Sequence, residues 1–217
     1  MCWSLIHWVL RLKATPVTVT EYLAPIRAAL ANSSVASSDF DLNADVKLPP
    51  ERKLRPAGVL VAVLCDEQGA HVVLTKRSSA LKHHPGQIAF PGGKQDAGDA
   101  DIVATALREA SEEIGLDPVN VEVMGQMPPH ETVTGFMVTP VVARIRQPFT
   151  AVPEPGEVDE VFQVPLDHLM DPARYLIQSR HWRGSRRYYY TVPFGPYYIW
   201  GATARILRGL AERMEAI

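Results

Sequence analysis

Two apolar runs joined by a short turn limit most strongly how this chain can fold. The first run, AGVLVAVLC, covers residues 57–65, and the second, HVVLTKR, covers residues 71–77. Both have the length of a strand and are rich in β-branched residues, and the DEQGA between them is typical of a turn. The sequence therefore predicts a β-hairpin whose first strand is buried.

Helices and further strands lie on either side of this hairpin. Apolar residues at helical spacing predict a helix over residues 15–31, with Thr18 or Thr20 as its N-cap. Other strands are predicted at 88–90, 119–127, 136–145 and 160–164, with a strand pair at 174–182 and 186–194, and other helices at 101–114, 165–171 and 201–217. This mixture predicts an α+β fold in which helices cover a mixed β-sheet.

The composition excludes several classes of protein. With 47% hydrophobic residues and a net charge of -2 over 217 residues, the chain can build a sizeable core but lacks the basic surplus of a protein that wraps nucleic acid. Its two cysteines, Cys2 and Cys65, provide neither a disulfide framework nor the ligand spacing of a zinc site. We therefore expect a reducing, cytoplasmic location.

The first 45 residues are predicted to be an N-terminal helical extension and linker, ahead of a main domain over residues 46–217. The apolar start, residues 1–10, is too short to span a bilayer, and its cations follow the apolar run, unlike those of a signal peptide. We expect it to pack on the domain or on a partner. An amphipathic membrane contact is the alternative, without stable membrane insertion. Residues 31–45 are predicted to be a polar linker.

Three glutamates crowd one face of the helix predicted over residues 101–114. On a wheel of about 100° per residue, Glu109, Glu112 and Glu113 fall within roughly 100° of arc, beside the apolar stripe. Like charges at this spacing destabilise a helix, whereas a hard divalent cation such as Mg²⁺ would be bound by such carboxylates. A solvated acidic face is the alternative. Arg108, which can hold the carboxylate of Glu112 four residues on, favours the metal site.

The segment REASEEIGL, residues 108–116, resembles the core of the Nudix box, whose leading glycine is matched by Gly93. This resemblance implies a Nudix hydrolase with an α/β/α sandwich around a mixed sheet. It also implies a Mg²⁺ or Mn²⁺ ion held by the three glutamates, with Arg108 beside them. One position departs from the pattern, because Ala100 stands where the box has a further glutamate. Asp99 and Asp101 flank it, either to bind metal through water or, as we prefer, to cap the helix.

The preceding stretch LTKRSSALKHHPGQIAFPGG, residues 74–93, resembles the coenzyme A pyrophosphatase branch of that family. Two positions differ from the branch pattern: Val73 replaces a leucine, and Lys82 replaces an arginine and so loses its planar fork. The resemblance implies hydrolysis of coenzyme A to 4′-phosphopantetheine and adenosine 3′,5′-bisphosphate. Substrate contacts are expected from Arg77, Lys82, Gly92 and Gly93. For His83 and His84, phosphate binding and a solvated loop are equally expected.

The general base is expected outside the box. Glu157 and Glu160 are the candidates, with Glu131 as a weaker third, although each could be a surface charge and a helix glutamate could act instead. The aromatic residues near the end of the chain either stack on an adenine or pack in the core; they are Tyr188, Tyr189, Tyr190, Tyr197, Tyr198 and Trp200.

Two rival functions are considered. The first is a Nudix pyrophosphatase for ADP-ribose, NADH or a dinucleoside polyphosphate. The second is a non-catalytic nucleotide-binding regulator, which the presence of all three glutamates and Arg108 disfavours. The expected partner is a small molecule rather than nucleic acid, and a homo-oligomer is compatible with the sequence.

Overall fold

The computed structural model describes residues 18–32, 35–46, 48, 51–182 and 184–217. The apolar start of the chain, and with it the expectation that residues 1–10 pack on the domain or a partner, lies outside these residues. Within the described ranges, no helix combines the length and the apolar character that a membrane crossing requires.

The described residues form four α-helices and eleven strands. The helices are α1 (Val19–Ala31), α2 (Ile102–Ile114), α3 (Leu166–Leu169) and α4 (Ala202–Glu215). The strands are β1 (Ser37–Ser38), β2 (Arg55–Asp66), β3 (Gly69–Arg77), β4 (Ile88–Ala89), β5 (Gly92–Lys94), β6 (Val121–Gln126), β7 (His130–Glu131), β8 (Phe136–Ile145), β9 (Val158–Pro165), β10 (Leu176–Trp182) and β11 (Ser185–Thr191). The predicted elements are thus present, with ends shifted by a few residues.

The strands form one mixed nine-stranded sheet and one hairpin. The order β1-β7-β8-β2-β3-β4 makes the path of the large sheet, with β5 paired to β2, β6 to β8 and β9 to β3. The predicted hairpin is the antiparallel pair β2–β3, whereas β2 and β8 run parallel. Strands β10 and β11 form the separate antiparallel pair. The mixed sheet predicted from the sequence is confirmed.

Helices cover the large sheet on both faces. Helix α2 buries Ala106, Ala110 and Ile114 against one face, in a cluster that includes Val73 of β3. The opposite face carries α1, α3 and α4, in a second cluster that includes Leu74. Because successive side chains of a strand point to opposite faces, β3 contributes to both clusters. The α/β/α sandwich is confirmed.

The N-terminal helix shares the core of the sandwich. Thr18 caps α1 in a capping box with Glu21, and Leu23, Ile26 and Ala29 are buried in the cluster on the α4 face. The division at residue 45 remains a prediction, but α1 packs against the sandwich.

The segment predicted as a polar linker is docked on the sheet. Its strand β1 pairs in parallel with β7, and Asn43 is buried. The imidazole of His130, which is fully buried, lies 2.9 Å from the Ser37 hydroxyl and 3.1 Å from the Asp39 carboxylate. Polar side chains that read as solvated in the sequence therefore bind a buried group.

Candidate active site

Helix α2 is set in place by its two ends and its apolar stripe. The Asp101 carboxylate accepts a hydrogen bond of 2.8 Å from the amide of Ala104, and Gly115 ends the helix in the left-handed conformation with φ 68°. Close packing fixes its distance from the sheet, since a Cβ at Gly58 of β2 would lie 2.6 Å from the carbonyl oxygen of Ile102. The helix therefore presents its acidic face at the strand ends next to Gly92.

Glu113 is the buried carboxylate of this face, with only 4% of the residue exposed. Its Oε2 accepts a hydrogen bond of 3.1 Å from the amide of Gly92, and its Oε1 lies 3.9 Å from Nη1 of Arg77. The pKa of Glu113 is raised to about 7: burial is the main cause, Gly92 and Arg77 oppose it, and the nearby carboxylates of Glu109 and Glu157 add to it. A bound cation would therefore stabilise the charged form of Glu113.

Glu109 lies one helical turn away, against the backbone of Gly93. A Cβ at Gly93 would collide with the Glu109 carboxylate, so glycine is required there for the two to meet. Burial raises the pKa of Glu109, with smaller raising effects from Glu112 and Glu157, while Arg108 opposes them. The predicted glycine pair thus adjoins the carboxylates: Gly92 binds Glu113 through its amide, and Gly93 makes room for Glu109.

Arg108 joins several acidic side chains. Its guanidinium donates to Asp99 at 2.9 Å, to Glu112 at 2.7 Å and to Glu109 at 2.8 Å. The expected contact with Glu112 is therefore confirmed. The preference for a capping role fits Asp101 only. Asp99 instead accepts hydrogen bonds from Arg108, which lower the pKa of its carboxyl, and from the Thr105 hydroxyl. The sequence did not predict that Asp99 holds the guanidinium of Arg108 in position. The available signal was an acidic residue that precedes the arginine of the box by nine positions.

The donor set suits a hard divalent cation. Carboxylate oxygens are the ligands that Mg²⁺ and Mn²⁺ prefer, and the buried Glu113 lies within Coulomb range of Glu109 and Glu157. In the described part of the chain, however, no three or more acidic, histidine or cysteine side chains are grouped closely enough to hold an ion. Arg108 holds Glu109 and Glu112 instead, so metal binding would require these side chains to turn away from it.

The candidate bases separate onto different parts of the molecule. Glu157 precedes β9, and its charge acts on both Glu109 and Glu113. Glu160 points elsewhere, because its carboxylate accepts a hydrogen bond from the hydroxyl of Tyr197, whose ring stacks on Phe162 of the α4-face core. Glu131 pairs with Arg52. Of the three, Glu157 lies with the helix glutamates.

The loop after β3 borders both the acidic site and a cavity. The amide of Gly86 donates to the carbonyl of Arg77 at 3.0 Å, which closes the loop. Lys82 and His83 are exposed on it, and His84 adopts φ 56°, a left-handed conformation unusual for a residue with a side chain. A cavity of about 610 Å³ opens beside His84, and the predicted aromatic residues Tyr197, Tyr198 and Trp200 line it; the sequence indicated these rings but not their cavity.

Known proteins resemble this chain in sequence. A model of the NUDIX domain matches residues 54–188. The protein named uncharacterized Nudix hydrolase NudL in Pectobacterium atrosepticum is 39% identical over 187 residues, which cover 84% of this chain and 97% of that protein. Its namesake in Photorhabdus laumondii is 37% identical over 186 residues, covering 83% and 99%. A MutT protein structure from Methanosarcina mazei has 20% identity and a TM-score of 0.49, covering 77% of this chain and 97% of that one. This chain belongs to the Nudix hydrolase family.

Proposed function

We propose that the protein hydrolyses the diphosphate bond of coenzyme A, with Mg²⁺ or Mn²⁺ as its cofactor. The observation that carries the proposal is the buried carboxylate of Glu113, which faces Arg77 at 3.9 Å and has Glu109 and Glu157 within Coulomb range. Arg77 belongs to the stretch that resembles the coenzyme A branch. Nudix hydrolases in general use divalent cations such as Mg²⁺ or Mn²⁺, and a small-molecule substrate fits the family.

In this proposal Glu109, Glu112 and Glu113 would hold the cation once Glu109 and Glu112 turn away from Arg108. When bound, the cation would acidify water and offset the charge that develops on the phosphates. The guanidinium of Arg77 donates hydrogen bonds to a diphosphate oxygen, and Lys82 adds positive charge from the loop. Gly92 and Gly93 let the backbone pass close to the phosphates, while the amide of Gly92 keeps Glu113 in place.

Glu157 is the general base of this scheme. Its carboxylate takes a proton from the attacking water as the new P–O bond forms, and the P–O–P bridge breaks on the opposite side of that phosphorus. The leaving phosphate takes the bridging oxygen, which gives 4′-phosphopantetheine and adenosine 3′,5′-bisphosphate. The cytoplasm is the proposed location because the two cysteines suit a reducing compartment.

The second candidate keeps the reaction and changes the substrate to ADP-ribose, NADH or a dinucleoside polyphosphate. It shares the acidic site and differs only in what the neighbouring loop and cavity bind. A regulator without activity is disfavoured, since burying Glu113 near two further carboxylates costs free energy that a bound cation would offset.

A substrate panel tests the proposal. Coenzyme A, ADP-ribose, NADH and a dinucleoside polyphosphate are incubated with the protein and Mg²⁺ or Mn²⁺, and products are separated by chromatography. We expect the highest kcat/KM for coenzyme A, and ¹⁸O from labelled water in only one of its two products. Cleavage of ADP-ribose without cleavage of coenzyme A would replace the proposal with the second candidate.

Manganese titration followed by calorimetry provides a readout that is independent of turnover. We expect heat of binding with wild type and its loss with Glu113→Gln. The matched control is Glu160→Gln, which removes a carboxylate bonded to Tyr197 on the α4 face and should keep the binding. Equal binding by the wild type and Glu113→Gln would contradict the metal role of Glu113.

A further inference from the structure

The cavity of about 610 Å³ is walled by chemically distinct groups. Lys76 and Arg180 bring positive charge, Tyr198 and Trp200 bring aromatic surface, and Glu160 brings a hydrogen-bond acceptor. It opens on the α4 side of β9, because Tyr197 of its wall stacks on the core residue Phe162 with a centroid distance of 3.6 Å. The acidic site lies with α2 on the other side of the sheet.

The two cations of the cavity are positioned to bind an anion, although the charge of Lys76 also acts on Asp159. The guanidinium of Arg180 lies over the ring of Trp200 at 4.4 Å from the centroid, a contact that orders this long side chain before any ligand binds. No ion pair links Arg180 or Lys76 to a carboxylate anywhere in the described ranges. Burial, together with the charges of Arg77, His83 and Arg180, lowers the pKa of His84, as expected in a region of positive potential.

The aromatic wall is fixed by contacts of its own. The ring of Tyr189 meets that of Trp200 edge to face with centroids 5.1 Å apart, and its hydroxyl lies 3.4 Å from the hydroxyl of Tyr198. Glu160 accepts one hydrogen bond from Tyr197, and its carboxylate retains lone pairs for a further donor. Since Arg180 covers one face of Trp200, the exposed ring of Tyr198 is the surface on which a purine would stack, with Glu160 as an acceptor for its exocyclic amino group.

The cavity and the acidic site meet at the end of β3. Lys76 lines the cavity, and the next residue, Arg77, lies 3.9 Å from Glu113. The pairing of β3 with β9 shifts register between these two residues, and such a bulge re-aims neighbouring side chains. Because both sites adjoin consecutive residues at the end of β3, an extended ligand that passes around this strand end would contact both. The strained φ of 56° at His84 lies in the loop between them.

We propose that this cavity binds a purine nucleoside that carries a phosphate monoester on its ribose, with Lys76 and Arg180 binding that phosphate. The inference rests on the proposed function, because it assigns the nucleoside end of a substrate whose diphosphate lies at Arg77. Lys76 and Arg180 then select substrates by the phosphate on the ribose, which takes no part in the reaction. They are specificity-determining residues rather than catalytic ones.

Equilibrium binding tests the inference without turnover. Calorimetry measures the dissociation constants of adenosine 3′,5′-bisphosphate and adenosine 5′-monophosphate with wild type, Arg180→Gln and Lys76→Gln. We expect each substitution to weaken binding of the bisphosphate about tenfold, the loss of one charge-assisted contact, and binding of the monophosphate less than threefold. Arg174→Gln is the matched control, because Arg174 is exposed and pairs with Asp171; it should change neither constant.

Kinetics provide the second arm. For coenzyme A, Arg180→Gln should raise KM about tenfold with little change in kcat, whereas 3′-dephospho-coenzyme A should show nearly equal KM with both proteins. Equal losses for both members of either ligand pair would overturn the inference. If wild type does not cleave coenzyme A but prefers the bisphosphate through Arg180, the proposed function fails and the cavity assignment stands. Thermal unfolding of each variant identifies losses due to misfolding.

Discussion

The two faces of the sheet at the end of β3 differ in charge and in shape. On the α2 face, Glu113 is buried beside Glu109, and the charge of Glu157 acts on both. On the α4 face, an open cavity is lined by cations and aromatic rings, and Glu160 is already bonded to Tyr197. The first arrangement suits cleavage at a cation-bound diphosphate, and the second suits recognition of a nucleoside. Side chains from adjacent strand positions can therefore serve separate tasks.

The largest expected effect comes from removing the buried carboxylate of the α2 face. We expect Glu113→Gln to lower kcat for coenzyme A by about 1,000-fold, roughly 4 kcal/mol of transition-state stabilisation, because cation binding is lost. Stopped assays at saturating substrate measure it. Glu160→Gln on the other face should change kcat less than fivefold. Similar losses in the two variants would abolish the distinction between the faces.

Stability against pH gives the next largest effect. Because the pKa of Glu113 is raised from 4.5 to about 7 on folding, the folded protein binds more protons than the unfolded chain in this range, and the free energy of unfolding falls as pH rises. The loss between pH 4.5 and 7 should reach roughly 3 kcal/mol without divalent cations. Urea unfolding at pH 5 and pH 8 should show it in wild type and not in Glu113→Gln. Parallel pH profiles would contradict it.

The two candidate bases, Glu157 and Glu160, are expected to differ in their effect on catalysis. Glu157→Gln should lower kcat about 100-fold, the low end for loss of general base catalysis, and should remove the acidic limb of the pH–rate profile. Glu160→Gln should keep that limb and change mainly KM, since Glu160 lines the cavity. A pH–rate profile that Glu157→Gln leaves unchanged would assign the base to a glutamate of α2 instead.

The smallest effect on activity is expected at the glycine pair. In Gly93→Ala the new methyl group must displace the flexible carboxylate of Glu109, so we expect roughly a 30-fold lower kcat with the melting temperature retained. Gly92→Ala is the contrast, because φ is 150° there and the Cβ would lie 2.6 Å from Cα of Val59. That variant should lose its cooperative thermal transition, as followed by circular dichroism.

Local patterns predicted the elements that depend on neighbouring residues. Helix α2 and the hairpin β2–β3 follow from spacing and turn residues within about 20 positions. The parallel pairing of β2 with β8 joins residues about 80 positions apart, as in Arg55 opposite Phe136, and no local pattern specifies it. The two-residue strands β1 and β7 are too short to produce an alternating pattern, and their pairing depends on contacts formed by His130.

Within the candidate site, the sequence predicted which helix residues lie next to one another. It did not predict which of the other acidic residues lie at the site and which lie elsewhere. Glu109, Glu112 and Glu113 follow from helix geometry, and their contact with Arg108 from its i,i+4 spacing to Glu112. The separation of Glu157 from Glu160 depends on the packing of β9 between two helical layers. The binding of Asp99 to Arg108 depends on how the loop before α2 returns to the helix.

The docking of His130 has a consequence for how the molecule unfolds. Its two ring nitrogens are satisfied by Ser37 and Asp39, both within the first 45 residues, although His130 itself lies on β7, between β1 and β8. A shortened protein starting at residue 46 would lose both partners and the strand β1 that covers this edge of β7, so we expect its free energy of unfolding to fall by about 1 kcal/mol for each lost hydrogen bond. The segment around β1 therefore contributes to the stability of the sandwich, and we expect its removal to weaken the whole.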